Sequence, residues 1–459
     1  MDCETCRQSA RPLDMIGLLF DRLSAVHDNH KRIAAGAALI GGLTLIAKLF
    51  VAAREVAIAW RFGVGATVDA YQLSLTLTTW LPMMFGGVTT VVLVPTLVGL
   101  RRREATGDRF VAELNGNIVL TGAIVAGLTW LAAPAMAALL ASSTEPHTLE
   151  LTRRMSRTMA PIALFMIPSA YFCARLQARE RFWYSISDAI PAILIALAVL
   201  APLSMEGPNA LVTGTLAGFA VQVALLALMV SRSDPPLDRI RLRRHSANWQ
   251  VLYKSLLFMT LGQVLITFST PIDQAFAARL GEGAVATLGY ANRVIALFSG
   301  FATIIVARAL LPVLSASVAA GELELARRQA IQWSVLLFIA AAIGSIVLWA
   351  LTPDAVRLLF QRGAFTPGAS TAVAGALRVG LLQLPFYFAG MAFVQWYAAT
   401  GQFKIMLWNG AAALGIKVIA NAALVGPLGV KGIMTAAAVM YAANLLLLVL
   451  FLKVPGKAR

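Results

Sequence analysis

"AWRFGVGA" at residues 59–66 is written again, altered, as "AARLGEGA" at residues 277–284, 218 positions later. Each copy stands in the gap between two long apolar runs, and the match extends beyond it. Glu55 stands eight residues before Gly63, as Asp273 stands eight before Gly281, and Pro95 and Pro312 hold matching places farther on. Beyond them, "LQARERF" (176–182) and "QWYAATGQF" (395–403) put Phe182 and Phe403 at the starts of corresponding apolar runs. The chain is a long internal repeat, and the opening phrase is the turn between the first two apolar segments of each copy. Its paired glycines permit a tight turn, and the Arg before them is expected at the lipid headgroup level.

With 59% hydrophobic and 13% charged residues among 459, the chain has too little polar sequence to cover a soluble globule. It reads as an all-α integral membrane protein. Apolar runs of about 20 residues or more, enough to cross a bilayer, recur twelve times. They fall at 33–58, 70–100, 117–141, 158–178, 184–205, 209–231, 252–278, 286–315, 331–352, 371–399, 403–425 and 430–453. Several are too long to stand upright, so tilted or broken helices are expected at 33–58, 70–100 and 286–315. Six spans per copy is an even number, so both copies enter from the same side. A pseudo-two-fold axis along the membrane normal follows.

The expected organisation is therefore an N-terminal segment (1–32), an N-lobe (33–231), a basic linker (232–250) with Pro235 and Pro236, and a C-lobe (251–459) ending in a short basic tail. In the first segment Leu13, Ile16, Phe20 and Leu23 recur at helical spacing, with Asp14, Asp21 and Arg22 around the turn, as in an interfacial helix.

The net charge of +16 does not indicate nucleic acid, because Lys and Arg concentrate in alternate loops. Arg101, Arg102, Arg103 and Arg109 follow the second span, Arg175, Arg179 and Arg181 close the fourth, and Arg232 through Arg244 fill the linker. Both termini are thus expected in the cytoplasm. Cys3 and Cys6 have no second pair to complete a metal site, and His27, His30, His147 and His245 lie outside the spans. No phosphate-cradling glycine loop and no hydrolase or metalloprotease motif occurs, so no enzyme, cofactor or metal is expected.

Charges inside the spans carry the functional reading, since each costs roughly 2.5 to 3.5 kcal/mol at bilayer mid-depth on insertion scales. They are Lys48, Arg54, Glu55, Asp188, Asp273, Arg293 and Lys417. Glu55 and Asp273 are expected to brace the adjoining turns, Asp188 to accept hydrogen bonds, and Lys417 to pair internally or lie near an interface. Lys48 and Arg54, six residues apart, stand about 240° apart around a helix and would bracket a cavity wall. Arg293 lies about two turns into the matching helix of the other copy. Basic side chains pointing inward from both copies suit an anion bearing phosphates.

Three stretches resemble a known family: "AKLFVAAREVAIAWRFGVGATVDAY" (47–71), "YANRVIALFSGFATIIVARALLPVLS" (290–315) and "LLFQRGAFT" (358–366). They are similar to signature regions of the MurJ/MviN lipid II flippases, within the multidrug/oligosaccharidyl-lipid/polysaccharide exporter superfamily. The resemblance spans about residues 33 to 453. It implies a V-shaped pair of six-helix lobes around a cationic cavity. The implied activity is movement of an undecaprenyl-pyrophosphate-linked saccharide across the bacterial inner membrane by alternating access. It further implies substrate-binding roles for Lys48, Arg54, Asp69 and Arg293, membrane lipids as partners, and a coupling cation as an optional one. Where the family usually carries an Arg-Arg pair and an acid, residues 78–90 read "TTWLPMMFGGVTT" without charge, and Asn292 stands where an acid usually precedes the arginine. A capsule or exopolysaccharide unit is accordingly the alternative substrate to lipid II. A drug/cation antiporter, which would favour acidic cavity residues, and a non-transporting scaffold of the same fold are the remaining alternatives.

Overall fold

The computed structural model describes residues 28–101, 104–140, 144–201, 208–233, 242, 249, 263–264 and 267–452. Among these residues every regular element is helical. The first half contains α1 (Asp28–Phe62), α2 (Ala66–Arg101), α3 (Glu104–Leu140), α4 (Pro146–Met159), α5 (Ile162–Ala178), a 3₁₀ segment (Phe182–Asp188), α6 (Ala189–Leu200) and α7 (Asn209–Ser233). The second contains α8 (Ser269–Ala278), α9 (Ala284–Ala319), α10 (Leu323–Phe360), α11 (Pro367–Gly380), α12 (Gln383–Ala399), α13 (Phe403–Leu428) and α14 (Val430–Leu450). Among the described residues, eight helical spans are long and apolar enough to cross a membrane, nine if α4 and α5 form one span bent by 49°. The expected interfacial helix before residue 28, most of the linker and the start of the 252–278 span lie outside the described residues.

The duplication is visible in irregularities more than in the helices themselves. Pro146 and Pro367, 221 residues apart, each open the fourth span of their half. There a missing N–H costs nothing, because the first-turn amides have no helical partner. Both spans then break, after Met159 and after Gly380, again 221 apart. In the first half Pro161 stands at the break and removes the amide that would continue the ladder. Each span ends in a turn holding one left-handed residue, Glu180 (φ 55°) or Gly401 (φ 70°), also 221 apart. Hydropathy alone starts the fourth span at 158. The structure adds α4, whose polar sequence hides it from a hydropathy criterion.

Packing is densest within each half: α2 against α5, α6 against α7, α10 against α12, and α13 against α14. α10 turns Leu336, Ile339, Ile343, Ile346 and Val347 outward, an apolar stripe suited to lipid. α12 is the opposite case, with Trp396 and Tyr397 fully buried and Tyr397 Oη donating to Leu448 O at 2.8 Å. One apolar core crosses between the halves near the repeated turns, joining Ile58, Val68 and Tyr71 to Val285, Leu288, Tyr290 and Phe365. A second, in the first half, groups Phe110, Leu114 and Tyr171 with Trp249 of the linker, the Phe110 and Trp249 rings meeting edge-on at 5.4 Å. Trp249 Nε1 donates to Glu113 Oε2 at 2.7 Å. Linker residue 249 is thus fastened to α3.

Candidate functional site

The two copies of the opening phrase meet. Gly63 ends α1 with φ +61°, and Gly283 precedes α9 with φ +82°, conformations that L side chains rarely adopt. Their backbones then approach the opposite half closely: Tyr290 Oη donates to Gly63 O at 3.0 Å, and Ala364 N donates to Trp60 O at 2.8 Å. Glu282 Oε1 accepts from Ala66 N at 2.9 Å. From the sequence these glycines have only a turning role. The structure adds a second, the junction of the halves, which needs the missing side chains because a Cβ at Gly63 would overlap Ala364 O.

Asp69 is the centre of that junction. It stands in the first turn of α2, is 1% exposed, and spreads its two oxygens over the N-terminus of α9. Oδ2 accepts from Gly283 N at 2.5 Å and Oδ1 from Ala286 N at 2.6 Å. A carboxylate there satisfies amides that the helix leaves unpaired and faces the positive end of its dipole. Arg61, expected at the headgroups, instead turns inward and donates to Val199 O at 2.5 Å. The junction thereby ties α1, α2 and α6 to α9.

About 12 Å below the turns, eight residues of helix rise from Gly63, lies Glu55. Its Oε1 accepts from its neighbour Arg54 and forms an ion pair, at 3.2 Å, with Arg293 Nε of the other half. One carboxylate, 5% exposed, is thereby held by guanidinium groups from α1 and α9. The expectation that Glu55 braces its turn misses this bridge. The Arg293 side chain keeps 39% of its surface accessible, against 11% for Arg54. It lines a cavity with Lys48, Ala52, Glu55, Leu297 and Phe360. So of the four sequence candidates, Lys48 and Arg293 face one cavity, Arg54 stands behind Glu55, and Asp69 lies in the junction. Asp188, as expected, accepts from Gln222 Nε2 at 3.2 Å, within electrostatic range of Lys48.

Chemically, the wall of this cavity offers two cationic groups of different kinds and one acid already shared between halves. An incoming phosphate would meet Lys48 as a point charge and Arg293 as a fork. To take a second guanidinium it would have to compete with Glu55. No group of three or more His, Cys, Asp or Glu residues that could hold a metal occurs among the described residues.

Residues 58–456 match the family model described as lipid II flippase MurJ. The probable lipid II flippase MurJ of Bdellovibrio bacteriovorus is 24% identical over 443 residues, 94% of this chain and 84% of that protein. Its counterpart in Rhizobium meliloti is 27% identical over 433 residues, covering 90% and 79%. Among solved structures, lipid II flippase MurJ in an inward closed conformation superposes with a TM-score of 0.76 at 18% identity, over 90% of this chain and 87% of that one. An inward-facing multidrug resistance MATE transporter gives 0.70 at 16% identity, over 91% and 97%.

Proposed function

The chain belongs to the lipid II flippase MurJ family of multi-pass inner-membrane proteins, and from that premise we propose that it carries a polyprenyl-pyrophosphate-linked saccharide, lipid II in the first instance, from the cytoplasmic to the outer leaflet. The observation that carries the mechanism is Glu55 held by Arg54 and Arg293 at the cavity wall. The substrate's pyrophosphate competes with Glu55 for these guanidinium groups and binds Arg293 in bidentate fashion, with Lys48 adding a mobile charge. Because Glu55 joins both halves, its displacement loosens one of the contacts that hold them together. Substrate binding and rocking of the lobes 33–231 and 251–459 are thereby one event, with the saccharide head in the cavity and the polyprenyl tail in lipid.

Asp69 takes a different role from the one the family resemblance implies. Both its oxygens are committed to backbone amides, so it acts as a latch on the periplasmic side and does not bind substrate. Opening toward the periplasm requires those bonds to break. With both termini cytoplasmic, each negative charge carried outward gains about 2.3 kcal/mol per 100 mV of interior-negative potential. That supplies a driving force without ATP. The uncharged stretch at 78–90 favours a second reading, in which the saccharide is a related lipid-linked glycan such as a capsule repeat unit.

The test is growth of cells depleted of their own lipid II flippase. The wild-type chain should sustain it, Arg293→Ala should fail at equal membrane-inserted protein, and Arg293→Lys should rescue in part. Normal growth with Arg293→Ala would remove the headgroup role from this residue. Failure of an abundant, inserted wild type would transfer the substrate to the second reading.

A further inference from the structure

Each half lays one arginine over one tryptophan on its lipid-facing side. The Arg157 guanidinium of α4 lies 5.8 Å from the centre of the Trp130 ring, and that of Arg378 on α11 lies 4.5 Å from the centre of Trp349. The arginines are 221 residues apart, the interval that also separates Pro146 from Pro367, so the repeat carries the pair twice. In each half the tryptophan stands on the third span and the arginine on the fourth. Trp130 is 52% exposed beside the exposed Leu128 and Leu131, and Trp349 is 49% exposed at the edge of the lipid-facing stripe of α10.

Both fourth spans begin on the side of the junction, where Thr144 Oγ1 donates to Ala278 O at 3.1 Å and Ala364 N donates to Trp60 O. Arg157 and Arg378 stand in the last turn of α4 and α11, about 16 Å below the starts of those helices. Helical side chains tilt toward the N-terminus of their helix, so both guanidinium groups lean back toward the junction-side surface. An indole face attracts a guanidinium but accepts none of the N–H bonds that point outward in its plane. Arg378 Nε donates to Trp349 O at 3.2 Å, which leaves the fork of its two NH₂ groups. Among the described residues no carboxylate pairs with Arg154, Arg157 or Arg378. The acceptors that a leaflet offers at such a position are phosphodiester oxygens, and these match the guanidinium fork. A headgroup with its own ammonium already neutralises its phosphate, so a lipid of net negative charge is the better fit.

We propose that Arg157 with Trp130, and Arg378 with Trp349, form two equivalent sites for the phosphate of an anionic glycerophospholipid in the junction-side leaflet, one on the flank of each half. The guanidinium grips the phosphodiester and the indole packs against the glycerol and first acyl carbons. Exposed Arg154, one turn nearer the surface, adds a second positive charge to the first site and makes it the tighter. None of these residues lines the cavity that holds Lys48 and Arg293, so the inference stands apart from the substrate reading.

The experiment is native mass spectrometry of the full-length protein in detergent, titrated with dioleoyl phosphatidylglycerol, dioleoyl phosphatidylcholine or inorganic phosphate. The wild type should retain two more phosphatidylglycerol molecules than the Arg157→Gln/Arg378→Gln double variant, and each single variant one more. Phosphatidylcholine should be retained equally by the wild type and the double variant, and inorganic phosphate should displace no phosphatidylglycerol. Equal phosphatidylglycerol counts in the wild type and the double variant overturn the proposal. A lower Tm in the variants with an unchanged count does so too, since that is the behaviour of a stack that only staples two helices. Displacement by inorganic phosphate would show an anion site without a lipid requirement, and a phosphatidylcholine loss as large as that of phosphatidylglycerol would remove the selection by charge; either refutes it. Should the double variant not be recovered folded, the single variants decide: loss of one retained phosphatidylglycerol from each supports the proposal, and no loss from either refutes it.

Discussion

Asp69→Asn is the substitution that isolates the junction, since it keeps the shape of the side chain and removes its charge. The carboxylate accepts two amides of α9, at 2.5 and 2.6 Å. An Asn side chain has one acceptor, so its NH₂ must face the second N–H. One charge-assisted hydrogen bond is lost, worth about 1.5 to 3 kcal/mol. The favourable meeting of a negative charge with the helix N-terminus is lost too, worth up to about 2 kcal/mol when buried. Taking about 2 to 4 kcal/mol for the combined loss, the equilibrium between joined and parted turns shifts by about 30- to 700-fold, at tenfold per 1.4 kcal/mol. The assay is a spin-label distance measurement between Thr67→Cys on α2 and Arg279→Cys at the end of α8, with Cys3, Cys6 and Cys173 replaced. The parent protein should give one short distance population, and Asp69→Asn should add a longer one at its expense. An unchanged distribution in a correctly inserted variant would refute the latch and show that apolar contact alone holds the halves.

A Cβ at Gly289 would overlap the buried Gln72 side chain across the junction. Gly289→Ala should therefore part the turns as Asp69→Asn does, and adding Gln72→Ala should restore the short distance; a double variant as open as the single one would exclude this contact as the cause. Reporter fusions after residues 106 and 242 should read cytoplasm and one after residue 147 periplasm, and a periplasmic reading at 242 would break the correspondence between the two halves.

Much of the fold was legible because a membrane imposes a length on every span and the repeat imposes a spacing on the turns. The span at 209–231 is found as Asn209–Ser233 and that at 403–425 as Phe403–Leu428. What hydropathy missed was polar helix: α4 carries Arg153, Arg154 and Arg157, and only Pro146 with its counterpart Pro367 marks where each fourth span begins. The site was legible in its residues and less so in its connections. Charge cost alone singled out Lys48, Arg54 and Arg293, whereas the acid joining two of them was read as a turn brace, because helical periodicity ranks faces and says nothing of a partner on another helix. Asp273 and Lys417 were each visible as anomalies, yet their pairing across 144 residues leaves no local trace. Asp69 was the hardest to read. Its partners are main-chain amides, which have no signature in any sequence.

That last property has a consequence for descent. A contact between two side chains drifts as a pair, since a change on one strand of the bargain must await an answering change on the other. Asp69 answers to peptide groups that every amino acid except proline provides, so residues 283 and 286 stay bound by conformation and the N–H requirement while position 69 bears the chemical constraint alone. Divergence at this joint should be lopsided: proline should be the forbidden replacement at 286, most small substitutions there should pass unnoticed, and the acid opposite should be the last of the three to change.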